Sequence, residues 1–84
     1  MNVVLNEIEM EALFKQDPAT KKNGGWQGLN VGLQERCDRA TGKLHLTSDD
    51  LRRIPQYAFD YNDGGWESRL KTAFSRHLGP NLGR

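Results

Sequence analysis

Apolar residues recur along this chain mostly at helical spacing. Over residues 6–16 the stripe runs through Ile8, Glu11/Ala12 and the pair Leu13/Phe14, the period of an amphipathic helix. Asn6 is a good N-cap and Glu9 follows three residues on, which is the arrangement of a capping box. Asp17-Pro18 ends this helix, because the residue before proline avoids the α region. Ala19 to Asn23 reads as a polar linker.

Two patterns compete over residues 24–47. Trp26, Leu29, Leu33 and Cys37 fall at i, i+3, i+7 and i+11, which predicts a Trp-anchored helix within 24–39. Alternatively Leu29, Val31 and Leu33 alternate, then Leu44 and Leu46 alternate beyond the turn Asp38–Gly42, which would make a β-hairpin at about 28–47. Gly28 and Gly32 weaken either element. The helix places Trp26 and Cys37 on one stripe, whereas the hairpin sets them on opposite faces. Lys43 to Leu46 is extended in either case.

Thr47 or Ser48 caps a further helix at about 48–61, with Asp49 and Asp50 in the first turn facing the positive end of its dipole. Leu51, Ile54, Ala58 and Tyr61 form its stripe, and Pro55 inside it predicts a kink or a split. Asn62-Asp63-Gly64-Gly65 is a turn. Trp66, Leu70, Ala73/Phe74 and Leu78 give the clearest helix, about 65–78, stopped by Gly79 and Pro80. Residues 79–84 read as a loose tail. The expected fold is thus mainly α, a compact small bundle of about four short helices in a single domain spanning 1–84. The α+β hairpin version is the alternative. The expected core joins Trp66, Leu70, Phe74 and Leu78 to Ile8, Leu13, Phe14 and Leu51.

One echo stands out. Asn23-Gly24-Gly25-Trp26-Gln27 resembles Asp63-Gly64-Gly65-Trp66-Glu67 forty residues later, and Arg36 matches Arg76 at the same offset. Two copies do not make a repeat protein; they read as one helix-start device used twice.

Composition narrows the function. The 84 residues carry a formal net charge of +1 and are 36% hydrophobic and 27% charged. Such a chain makes one modest core and gains from association that hides more apolar surface. Residues 1–17 hold four acids and one base, and residues 18–84 hold eleven bases and seven acids. An acidic first helix therefore precedes a weakly basic body, and the net charge alone indicates neither nucleic acid nor membrane. No apolar run approaches the length of a membrane span, the N-terminal stretch lacks the basic start of a signal peptide, and Cys37 is the only cysteine. A reducing cytoplasm is the expected compartment.

The chemical motifs fail on inspection. Thr41-Gly42-Lys43-Leu44 lacks the upstream glycine and the following hydroxyl of a phosphate loop. Asp60-Tyr61-Asn62-Asp63-Gly64-Gly65 begins like a calcium loop, but Lys71 stands where a bidentate Glu is needed. Cys37, His45 and His77 are scattered rather than paired as zinc ligands are. Cys37 suits a small core residue and His77 a cation at a helix C-terminus. No catalytic residue, metal ligand or cofactor is assigned, and the protein reads as non-enzymatic.

The expected function is a small interaction protein that binds another protein, a second copy of itself, or both. Trp26 and Arg36 are the anchor types of interfaces, and Gly28-x-x-x-Gly32 would let another helix approach closely. The alternative is a helix-turn-helix-like DNA-binding regulator that uses the helix at 66–78, with Arg69, Lys71 and Arg76 toward nucleic acid and Arg53 as a backbone contact.

Overall fold

A computed structural model describes all 84 residues. It is mainly α. A short strand β1 (Asn2–Val4) leads into helix α1 (Glu7–Leu13), a 3₁₀ turn (Pro18–Asn23) and helix α2 (Gly25–Arg36). Strand β2 (Lys43–His45) then leads into helices α3 (Ser48–Phe59) and α4 (Gly64–Leu78). The strands pair antiparallel with Asn2 opposite His45, Val3 opposite Leu44 and Val4 opposite Lys43.

The hairpin alternative at 28–47 is overturned. Residues 25–36 are helical, and β2 pairs with the N-terminal strand instead. Three local facts make this the better solution. Trp26, Leu29 and Leu33 are all buried on α2. Leu44 and Leu46 alternate inward against Val3 and Leu5, so a two-stranded ribbon forms with one face in the core. At the turn between α2 and β2, Gly42 has φ near +80° and the carbonyl oxygen of Leu5 where a Cβ would sit, 2.1 Å away; only glycine fits.

α1 is shorter than the periodicity predicts, ending at Leu13 rather than near residue 16. Buried Gln34 explains the early stop, because its Nε2 donates to the carbonyls of Leu13 (3.0 Å) and Gln16 (2.9 Å) and so satisfies the chain end. The linker after it is a 3₁₀ turn, opened by Asp17 accepting from the Ala19 N–H. α3 runs unbroken through Pro55. The loose tail is also corrected: Leu82 is completely buried in the core, and Arg84 grips Asp60 through two hydrogen bonds of 2.6 and 2.7 Å.

The core gathers Leu13, Leu70 and Phe74 as expected, with Ala73, Ile54, Ala58, Leu33, Leu44 and Leu46, while Phe14, Leu51, Trp66 and Leu78 pack partly buried against it. Ile8 departs from expectation and is 67% exposed. α1 turns Glu9, Ala12 and Leu13 inward instead, where the half-exposed Arg76 guanidinium reaches the Glu9 carboxylate.

Candidate interaction surface

The forty-residue echo has a structural meaning. The chain is two β–α–α units, each opening with a strand and a capping box. In the first, Asn6 Oδ1 accepts from the Glu9 N–H and Glu9 Oε1 from the Asn6 N–H. In the second, Thr47 and Asp50 do the same. The carboxylate of each box is then clamped by the arginine of the other unit. Arg36 Nη1 and Nη2 donate to Asp50 at 2.7 and 2.9 Å, and Arg76 Nη2 and Nε donate to Glu9 at 2.8 and 3.1 Å. Each guanidinium also donates to a strand carbonyl, Arg36 to His45 and Arg76 to Val4. At the helix starts, Trp26 and Trp66 stack with ring centroids 5.4 Å apart. The exchange of arginines interlocks the units as a pseudo-two-fold pair.

Glu9 and Asp50 are each only 4% exposed. Burial pushes both carboxyls up. The hydrogen bonds from Arg76 and the Asn6 N–H, with the charge of Arg76, outweigh it at Glu9 and hold its pKa below the ordinary value. Arg36 and Thr47 do so at Asp50. In turn the hydrogen bonds to the carboxylates raise both arginines. A buried carboxylate held this way is a fixed strut rather than a proton donor.

The residues singled out for binding are dispersed. Trp26 is 3% exposed and belongs to the core. A Cβ on Gly28 would lie 3.7 Å from the Lys21 carbonyl, so the 3₁₀ turn already covers it, whereas Gly32 is open. Arg36 is bound to Asp50. On the nucleic-acid side, Arg69 donates to Gln16 Oε1 and lies over the Trp26 ring. Lys71 pairs with Glu67 at 2.9 Å and sits over Phe59. Arg53 lies 3.6 Å from Asp49 and over Tyr57. Arg76 holds Glu9. A duplex docking on α4 would compete with the contacts of Arg69, Lys71 and Arg76.

The other motifs are structural as well. Asp63 Oδ1 caps α4 by accepting from Gly65 and Trp66 N–H groups, and Asp60 is taken by Arg84. No group of three or more His, Cys, Asp or Glu side chains is disposed to hold a metal ion. Cys37 is buried, and burial pushes its thiol up, away from the reactive thiolate. His77 is mostly enclosed, with Nε2 3.5 Å from Glu9 Oε1.

A few large apolar side chains also remain outward, and they were missed in the sequence. The large hydrophobic side chains left exposed are Met1 (49%), Val4 (52%), Ile8 (67%) and Tyr61 (50%). Three of the four fall within the first eight residues, just before β1, on it and at the start of α1. Val4 borders a groove of about 470 Å³ with Asn2, Arg36, Lys43 and His45. Ile8 borders one of about 270 Å³ between α1 and α4, with Glu11, Lys15, Arg69 and Thr72. The available sequence signal was alternation, since Met1, Val3 and Leu5 cannot share a strand face with Val4.

The architecture and this surface define a mainly α module of two interlocked β–α–α units with no helix long and apolar enough to cross a membrane. Set against known proteins, the chain matches no protein family, no curated protein and no solved structure.

Proposed function

We propose that the protein is a non-enzymatic interaction module of the cytoplasm, and that it binds protein through β1 and the beginning of α1. The observation that carries this reading is the concentration of exposed apolar side chains, Met1, Val4 and Ile8, in one eight-residue stretch. Scattered exposed hydrophobics are ordinary, but three within one short segment, with Met1 and Val4 on opposite faces of the ribbon, leave that segment with apolar side chains for a partner to cover on more than one side. The charged side chains support the same reading from the other side. The arginines and lysine that would meet nucleic acid already have intramolecular partners, so the surface with unspent contact capacity is the apolar one. Arg36 contributes by bracing the ribbon rather than by touching a partner.

A photo-crosslinking residue placed at Val4, at Ile8, or at exposed Lys22 on the 3₁₀ turn as control tests the reading in the native host. Adducts specific to Val4 and Ile8 are expected. Absence of adducts at both, or equal adducts at Lys22, would rule the reading out.

A further inference from the structure

We propose that the occupant of this surface is a second copy of the chain, joined by antiparallel pairing of the two β1 edges; this rests on the interaction reading above. The ribbon has two edges, and the structure treats them differently. Hydrogen-bonded pairs alternate along it: Met1 with Leu46, Val3 with Leu44, and Leu5 with Gly42. The backbone groups of the residues between them therefore point outward.

On β2 this outward edge is closed at every group but the His45 N–H. The Lys43 carbonyl accepts from the Asp38 N–H at 2.9 Å, the Lys43 N–H donates to Thr41 Oγ1 at 3.2 Å, and the His45 carbonyl accepts from Arg36 at 3.2 Å. On β1 the corresponding closure is partial, because only the Val4 carbonyl has an intramolecular donor, Arg76 at 2.9 Å. The Asn2 N–H, the Asn2 carbonyl and the Val4 N–H face outward. Free donors and acceptors alternating on an extended backbone are matched by another extended strand.

A second β1 fits that requirement. Run antiparallel, Asn2 of one copy faces Val4 of the other, and each pair exchanges N–H and carbonyl groups about a two-fold axis through Val3, the isologous geometry of a closed dimer. The Val4 carbonyl has a second lone pair for this, so Arg76 need not leave. Residues 1–6 contain no charged side chain, and the Arg76 guanidinium at the Val4 carbonyl is already paired with Glu9, which limits like-charge repulsion between the two edges. The pairing would cover Val4 on each copy and extend the two-stranded ribbon to four strands. Protected edges in natural sheets usually carry a lysine, proline or bulge; β1 has none of these.

The contact is small, so association belongs to the weak end of specific interfaces, and the test uses high concentration. Sedimentation equilibrium of the full chain should show the mass rising from 9.5 kDa toward twice that value. Val4→Lys, which sets a charge on the edge at a half-exposed position, should hold the mass at the monomer with the helical circular dichroism retained. Asn2→Lys, in the same outward row, is the second variant and should do the same. A monomer throughout, or a dimer that survives both substitutions, overturns the edge-pairing proposal. The crosslinks separate the two levels: a Val4 adduct to a different protein but never to the chain itself removes the second copy while the interaction reading stands, and no position-specific adduct removes both.

Discussion

Removing the Asp50 carboxylate should cost about 2 kcal/mol of stability, in a pH-dependent way that identifies the clamp as its source. Asp50 accepts from Arg36 at 2.7 and 2.9 Å and from the Thr47 N–H at 2.8 Å, and is 4% exposed. A fully buried pair broken from one side would cost about 3–5 kcal/mol, but the Arg36 side chain is 40% exposed and regains water when its partner goes. The pair then counts nearer to the surface limit of about 1 kcal/mol, and the lost bond from the Thr47 N–H adds about 1 kcal/mol. For a chain of this size, Asp50→Ala should lower the melting temperature by roughly 8–16 °C at neutral pH. A double-mutant cycle with Arg36→Ala should return a coupling energy of about 1 kcal/mol. The pH dependence follows from the direction of the shift. The folded carboxyl lies below its ordinary value because the hydrogen bonds of Arg36 and Thr47 outweigh burial. Its contribution is therefore complete above the unfolded value of about 4 and drains away as the pH falls through the folded one. The gap between parent and Asp50→Ala should be constant from pH 8 to about pH 5 and shrink below about pH 4. No gap at neutral pH, or a gap unchanged in acid, would refute the clamp.

Phe74, completely buried, should cost about 3–5 kcal/mol on truncation to Ala, read from urea melts. Leu82→Ala should cost about 2–5 kcal/mol if the buried tail belongs to the core, whereas a loose tail would leave the melt unchanged. Gly42→Ala should destabilise the fold, because a Cβ would lie 2.1 Å from the Leu5 carbonyl oxygen at a φ near +80°; circular dichroism melts check it. Cys37 should react with a thiol reagent only as fast as the protein opens, since it is buried and its thiol is pushed up by that burial, so a fast labelling phase in native buffer would contradict the packing.

The parts of the fold written in local chemistry were legible in the sequence. The Asn6–Glu9 box, the Thr47 cap and the Gly79-Pro80 stop are all short-range signals, and they mark element ends that the structure keeps. β1 was not legible, because three residues give too short an alternation and its partner lies forty-one residues away. Ile8 was misplaced for a related reason. A carboxylate looks like a solvent-facing residue until a distant arginine draws it in, and Arg76 draws in Glu9 and rotates the helix by one position. The match of Arg36 to Arg76 was visible, but nothing in the sequence revealed that each serves the other unit. The bases of α4 read as a free nucleic-acid face on composition alone; their aromatic and carboxylate partners come from other elements or from the adjacent turn, where composition does not look.

The most direct test of the binding edge is amide hydrogen exchange at Val4 in the unmodified protein, followed over a hundredfold range of concentration. The Val4 N–H points out of the ribbon and has no intramolecular acceptor in the alternation set by Met1–Leu46, Val3–Leu44 and Leu5–Gly42. The account predicts that its exchange slows as concentration rises, while the amide of Leu44, bonded inside the ribbon, keeps its rate at concentrations where the global stability is unchanged. A Val4 rate independent of concentration would contradict pairing through β1.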